Sequence, residues 1–252
     1  MSDPFSHPMI IKESWEKFTE QDHKTWNILF KRQSELLKKY AAPEFIKGIE
    51  TLEMEQQKIP KFSDLNRLLK STTGFTLIPV SGLVPEDLFF KMLAQRCFPS
   101  TCFIRKPEHL DFTEEPDIVH DVFGHIPLLS NPIFADFMEL FGKMGLESID
   151  QGLLRFYGAF YWYTVEFGLI QRQDGMKLYG AGIASSKGET LHAMESSEVK
   201  RRKFTLRDII QTPYQTNALQ GNYFVIESFQ ELFDTLNDLN LDEVEMLMKE
   251  KE

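Results

Sequence analysis

The sequence contains very little cysteine. Only two of its 252 residues are cysteines, Cys97 and Cys102. Two thiols are too few for the disulfide scaffold of a small secreted protein or for a zinc site built mainly from cysteine. We therefore expect both to remain free thiols in a reducing compartment. The first eleven residues lack a signal-peptide pattern, which likewise predicts a cytoplasmic location.

An excess of positive charge is also missing. The chain carries 28 Lys and Arg against 38 Asp and Glu, a formal net charge of −10 at pH 7. Such a chain repels phosphates, so nonspecific nucleic-acid binding is not expected. The longest apolar stretch, residues 153–170, approaches the length of a membrane span but contains Arg155 and Glu166. We expect no nucleic-acid or membrane partner, and a monomer that binds small molecules.

No internal repeat, long linker or low-complexity segment divides the chain. Its length suits one domain with a sizeable core, and 22 Phe predict that this core is rich in aromatic rings. We predict a single catalytic domain over residues 1–252, with its core over about 13–235 and an acidic C-terminal tail. The predicted fold class is mainly α with a few short β-strands (α+β).

Periodicity, capping residues and turn residues predict the individual elements. Helices are predicted over residues 13–40, 43–52, 65–70, 85–97, 132–144 and 153–170 and from about 228 onward. Short strands are predicted over residues 75–80, 101–105 and 223–226. Glycines and serines between 178 and 190 predict a tightly turning loop. The basic run within 199–204 is interpreted as a solvated surface.

A stretch bracketed by prolines, residues 116–127, contains His120 and His125. On a straight α-helix five residues turn about 500°, so the two side chains would point about 140° apart. That spacing is poor for sharing a metal. Because Pro127 disfavours helix at Ile126, we expect His125 to lie at a helix end and turn back towards His120. By themselves, two such histidines are more often ordinary core or surface residues than ligands.

A carboxylate lies in the most apolar segment. Burying Glu166 without a partner would be costly, and Arg155, about 16 Å away along a straight helix, is too far to pair with it. Two histidines and one carboxylate form the facial triad of Fe(II) oxygenases, but the same ligands also hold catalytic zinc. The aromatic surroundings favour an iron oxygenase. A zinc hydrolase with Asp121 as its base and a purely structural role remain alternatives.

Two motifs resemble those of a known family. Residues 116–128 read Pro-Asp-Ile-Val-His-Asp-Val-Phe-Gly-His-Ile-Pro-Leu and resemble the iron-binding signature of the pterin-dependent aromatic amino acid hydroxylases. Residues 161–169 resemble the segment that carries the third iron ligand of this family. Shorter matches occur at residues 73–75, 79–83, 179–182, 185–186 and 227–229. The resemblance extends over about 20–230 and is to the short bacterial members.

The resemblance implies a reaction. It implies hydroxylation of L-phenylalanine to L-tyrosine with O2 and a tetrahydropterin, either tetrahydrobiopterin or a bacterial equivalent, at a mononuclear non-haem Fe(II). Tryptophan or tyrosine as the substrate is the alternative within the family. Asp121 stands where animal members have Glu, and Phe112 stands where Tyr is common.

The resemblance also implies roles for individual residues. The implied iron ligands are His120, His125 and Glu166. The implied pterin-binding residues are Gly82, Leu83, Phe89, Asp121 and Tyr161. The implied substrate contacts are Arg105, Thr113, Pro116, Trp162, Ser185 and Glu189. Among these, Arg105 has the planar guanidinium that suits the carboxylate of an amino acid.

Overall fold

The computed structural model describes residues 6–111, 115–216 and 218–250. Within this part of the chain helices predominate over strands, which confirms the predicted fold class. The α-helices are α1 Glu20–Tyr40, α2 Pro43–Thr51, α3 Phe62–Thr72, α4 Glu86–Leu93, α5 Ile126–Leu129, α6 Pro132–Glu147, α7 Leu154–Tyr161, α8 Ala181–Ala184, α9 Lys187–Glu195, α10 Leu206–Gln211, α11 Phe229–Asn237 and α12 Leu241–Lys249.

Five shorter helical segments that lie wholly within the described residues differ from the α-helix. Three are 3-10 turns, at Trp15–Lys17, Pro107–His109 and Ile149–Gln151. The other two are π-helical, at Val119–His125 and Trp162–Glu166. These two π-helical turns carry the histidine pair and the glutamate on which the sequence analysis depended.

The strands form two small sheets. They are β1 Thr76–Val80, β2 Cys97–Thr101, β3 Leu169–Arg172, β4 Gly175–Leu178, β5 Lys200–Lys203 and β6 Asn222–Ile226. The first sheet is the parallel pair β1 and β2. The second has the order β4-β3-β6-β5, in which β3 and β4 are antiparallel and the other pairs are parallel.

The core is aromatic, as the composition predicts. Buried rings of α6 and α7 pack together: the ring of Phe160 lies 6.1 Å from that of Phe137 and 6.2 Å from that of Phe141. This packing fixes α7, and the π-helical turn Trp162–Glu166 follows it without a break. In the described part of the chain, no helix is long and apolar enough to cross a membrane.

Several helix starts differ from the prediction. The helix predicted from residue 13 begins at Glu20, because Thr19 and Asp22 form a reciprocal capping box at that point. The helix predicted over residues 65–70 begins at Phe62. In both cases the start predicted from sequence differs from the start in the folded chain.

The second strand was predicted too far along the chain. Helix α4 ends at Leu93, and Arg96 adopts a left-handed backbone with φ of 54° that reverses the chain. The Arg96 guanidinium bonds Glu139, with Nε 2.7 Å from Oε2, and also pairs with Asp136. Strand β2 therefore begins at Cys97, and the prediction over residues 101–105 is wrong.

Four further segments differ from the prediction. The loop expected between 178 and 190 forms α8 and α9, with Ser186 capping α9. The basic run is strand β5, and the helix predicted over 153–170 ends as strand β3. The acidic C-terminal segment forms α12, in which Val244 and Leu247 are buried.

Candidate metal centre and adjoining pocket

The two histidines lie on one π-helical turn, Val119–His125. Hydrogen bonds from i to i+5 widen such a turn by one residue, so side chains five apart come onto one face. The Nε2 atoms of His120 and His125 are 3.1 Å apart. The expectation of a helix end was wrong: α5 follows directly, and Pro127 lies in its first turn, where a missing N–H has no cost.

The second π-helical turn brings Glu166 to the same point. Its Oε2 lies 3.5 Å from His120 Nε2 and its Oε1 lies 3.2 Å from His125 Nε2. Gly180 passes close behind, where an added Cβ would lie 2.3 Å from the Glu166 carbonyl oxygen. This glycine, expected to make a turn, instead permits close approach of α8 to the ligand backbone.

The donor set fits a metal ion. In the described part of the chain, His120, His125 and Glu166 form the one group of three such residues whose ligand atoms all lie within 4.8 Å of one another. Bonds of about 2.1 Å at right angles would separate neighbouring donor atoms by about 3.0 Å. The observed separations of 3.1, 3.2 and 3.5 Å are close to that value. The three side chains therefore have the composition and spacing of a facial triad.

Charge at the triad also favours a cation. Burial lowers the pKa of His120, but Glu166, Asp121 and Asp117 together outweigh it and raise that pKa to about 9. Burial opposes ionisation of Glu166, yet the two imidazoles hold its pKa well below its usual range. The surroundings thus stabilise a positive charge beside an ionised Glu166. A metal ion would supply that charge.

Ser185 fixes the orientation of one ligand. Its hydroxyl donates to the carbonyl oxygen of Ala181 at 2.8 Å, so its oxygen accepts from Nδ1 of His120 at 3.1 Å. A proton on Nδ1 leaves the Nε2 lone pair free for a metal. The structure thus places Ser185 beside His120, a candidate metal ligand, rather than in the wall of the cavity.

A cavity of about 270 Å³ opens onto the triad. The ring of Phe89 packs edge-on against that of Tyr161, with centroids 5.3 Å apart. Leu83, though 79% exposed, also lines the cavity. Of the residues implied by the resemblance, those that line the cavity are Gly82, Leu83, Phe89, Pro116, His120, Asp121, His125, Tyr161 and Glu166.

Asp121 lines the cavity but already has partners. Its Oδ2 accepts from the backbone N of Thr101 at 2.7 Å and from the Thr101 hydroxyl at 2.8 Å. Burial raises the pKa of Asp121 despite these donors and the nearby imidazole of His120. Both of these hydrogen bonds are made by Oδ2, so Thr101 fixes the position of the carboxyl group in the cavity wall.

Arg105 lies outside this cavity and pairs with Asp117. Its Nε and Nη2 donate to the two Asp117 oxygens at 2.8 and 2.7 Å, and Asp117 is fully buried. One Asp117 oxygen also accepts from the backbone N of His120 at 3.2 Å. A side-on pair leaves the Nη1–Nη2 edge of the guanidinium directed away from Asp117. Sequence reasoning gave Asp117 no role, although it stands within the iron-binding motif.

Two further substrate contacts implied by the resemblance, Trp162 and Glu189, are not part of the wall of this cavity. Trp162 donates from Nε1 to Oε1 of Gln220 at 3.0 Å. Glu189 is buried and accepts from the Tyr223 hydroxyl at 2.5 Å and the Gln220 backbone N at 3.2 Å. Sequence reasoning missed Gln220, which has no local signal. Thr113 and Phe112 lie outside the described residues.

Known proteins resemble this chain over most of its length. The family model for biopterin-dependent aromatic amino acid hydroxylases matches residues 12–244. A phenylalanine-4-hydroxylase of Chromobacterium violaceum is 46% identical over 229 residues, covering 91% of this chain and 77% of the relative.

Two solved structures of the C. violaceum enzyme are similar to the fold. A crystal structure bound to cobalt has a TM-score of 0.93 and 41% identity, covering 97% of this chain and 88% of that one. A structure with bound iron(III) and 7,8-dihydrobiopterin has a TM-score of 0.90 and 43% identity, covering 94% and 87%. The chain belongs to the family of biopterin-dependent aromatic amino acid hydroxylases.

Proposed function

We propose that the protein hydroxylates L-phenylalanine to L-tyrosine with O2 and a tetrahydropterin, at an Fe(II) ion held by His120, His125 and Glu166. The proposal rests on the convergence of these three donors at an aromatic-lined cavity. When bound, iron offers open coordination positions for O2, and the reduced pterin supplies two electrons. The chain itself binds, orients and shields the reacting groups.

The aromatic wall orients the pterin. The rings of Phe89 and Tyr161 have planes 86° apart in the cavity wall, to which Leu83 also belongs. A flat heterocycle that stacks on Phe89 would lie beside the triad. Burial raises the pKa of the Tyr161 hydroxyl well above its ordinary value, so this group remains protonated next to the ligands.

Arg105 binds the substrate carboxylate. Asp117 occupies the Nε side of the guanidinium and holds its plane, so the Nη1–Nη2 edge is oriented to receive a second carboxylate. Because Asp117 also accepts from the His120 backbone N, the carboxylate-binding group and an iron ligand share one buried anchor. This anchor holds the substrate in register with the metal.

The zinc-hydrolase alternative does not fit the family to which the chain belongs, whose members are hydroxylases rather than hydrolases. Tryptophan or tyrosine as the substrate would use the same iron chemistry, and competition among the three amino acids at one pterin concentration distinguishes them. We expect phenylalanine to have the highest kcat/KM.

The test of the function is tyrosine formation after reconstitution with Fe(II). We expect activity that requires Fe(II), O2 and tetrahydropterin together. Equal tyrosine formation without pterin, or an activity with zinc that persists without O2, would overturn the proposal. The cytoplasmic location and monomeric state remain predictions, and size-exclusion chromatography of the purified chain tests the second.

A further inference from the structure

The connection between α10 and β6 is fixed at both ends to buried groups. At its start, the Tyr163 hydroxyl donates to the carbonyl oxygen of Pro213 at 2.8 Å. At its end, the backbone N of Gln220 donates to Glu189, which also accepts from the Tyr223 hydroxyl. This connection passes directly beside Trp162.

Gln220 bonds with both ends of its amide group. It is 4% exposed. Its Nε2 donates to the carbonyl oxygens of Gln215 at 2.7 Å and Ala218 at 2.9 Å, which closes the connection on itself. Its Oε1 accepts from Trp162 Nε1 at 3.0 Å. One buried side chain therefore determines both the shape of the connection and the direction of the indole.

Ring stacking alone leaves the indole with freedom to move. Trp162 lies between Phe167, with centroids 4.7 Å apart, and Tyr214, with centroids 5.0 Å apart and planes 23° apart. Tyr214 also lines a separate cavity of about 290 Å³, bordered by Phe156 and Ile210. Because this space lies next to Tyr214, the stacked pair can shift outwards unless a directional bond restrains it.

We propose that Gln220, supported by Glu189, is a positioning residue that fixes the Trp162 indole and thereby sets the size of aromatic ring the enzyme accepts. The inference rests on the proposed function and on the family resemblance, which implies that Trp162, on the same π-helical turn as Glu166, contacts the substrate. It gives Glu189 an indirect role: Glu189 anchors the residue that orients Trp162. Selectivity for phenylalanine over the larger tryptophan then depends on the hydrogen bond between Trp162 and Gln220, two residues far apart in the sequence.

The test compares Gln220→Leu with Gln215→Leu, the same substitution at an exposed side chain of the same connection. Gln220→Leu should raise KM for phenylalanine by about fivefold or more, leave KM for tetrahydropterin within about twofold, and lower the phenylalanine-to-tryptophan ratio of kcat/KM. Gln215→Leu should leave all three within about twofold. Parallel increases in both KM values would overturn the proposal.

A double-mutant cycle with Trp162→Phe separates positioning from general stability. Phenylalanine at 162 has no N–H, so adding Gln220→Leu should then leave selectivity unchanged. An undiminished effect of Gln220→Leu in that background would contradict a role through Trp162. Failure of the proposed function itself would appear differently, as an unsubstituted chain that forms no tyrosine.

Fluorescence provides a readout independent of turnover. Gln220→Leu should shift tryptophan emission, because Trp162 loses its hydrogen bond. Trp15 and Trp26 keep theirs, to the carbonyl oxygens of Ile59 and Glu55. An unchanged emission spectrum with a lowered Tm would show that Gln220 is merely structural.

Discussion

Two buried glutamates of this chain have opposite surroundings. Glu166 is 9% exposed and Glu189 is 5% exposed, so burial alone does not distinguish them. Glu166 faces two imidazoles, which hold its pKa below the usual range. Glu189 accepts hydrogen bonds from the neutral donors Tyr223 and Gln220, and burial raises its pKa.

The difference shows which of the two carboxylates is suited to hold a metal ion. Glu166 shares its position with two nitrogen lone pairs at 3.2 and 3.5 Å, and this convergence suits a cation. The described hydrogen bonds of Glu189 come from an N–H and an O–H group. A metal ion would have to displace these donors to bind the carboxylate. A carboxylate becomes a ligand where other electron-pair donors converge with it, whereas one surrounded by hydrogen-bond donors serves the fold.

The largest expected effect is the difference in iron binding and activity between a Glu166 variant and a Glu189 variant. Glu166→Ala should abolish stoichiometric iron binding and lower the rate of tyrosine formation by more than about 100-fold, because one corner of the triad is lost. Glu189→Gln keeps an acceptor for Tyr223 and should retain bound iron. Iron analysis and the tyrosine assay on both variants measure this, and equal iron loss in the two would break the comparison.

A smaller effect is expected from substituting Ser185, which contacts His120 and not the metal position itself. Ser185→Ala removes the acceptor for His120 Nδ1 and frees the imidazole to rotate or change tautomer. Iron affinity should fall by about 10–100-fold, with the fold intact. Titration with Fe(II) under anaerobic conditions measures the change. Unaltered affinity would show that packing, rather than this hydrogen bond, orients His120.

The smallest effect concerns stability and pH. Because the folded-state pKa of Glu189 is raised, its protonated form favours folding, and this contribution is lost as pH rises through that pKa. Glu189→Gln stays neutral and should be more stable than the parent above that pKa, by up to about 1 kcal/mol. The advantage should disappear below the ordinary glutamate pKa of about 4.3. Urea unfolding at several pH values checks this, and a constant difference would contradict it.

The three residues of the triad could be predicted from the sequence, but the geometry that brings them together could not. His120, His125 and Glu166 stood in motifs with a recognisable order, whereas α-helical geometry placed the histidines on different faces. The i,i+5 spacing matches a π-helical turn, which the prediction did not consider. A spacing unsuited to an α-helix was therefore itself the structural signal.

Contacts between segments far apart in the chain could not be predicted from the sequence. Trp162 and Gln220 are 58 positions apart, and Glu189 and Gln220 are 31 apart, so no local pattern pairs them. Asp117 could have been found, because a buried arginine requires an acidic partner and this aspartate lies in the iron-binding motif. Local periodicity predicted most helices, and tertiary packing determined where they end.

Anaerobic calorimetric titration with Fe(II) tests the central claim most directly. The unsubstituted chain should bind one Fe(II) per molecule at the site formed by His120, His125 and Glu166. Glu166→Gln should lose this binding, whereas Glu189→Gln should retain it with similar affinity. One equivalent of Fe(II) bound with unchanged affinity by Glu166→Gln would contradict the account.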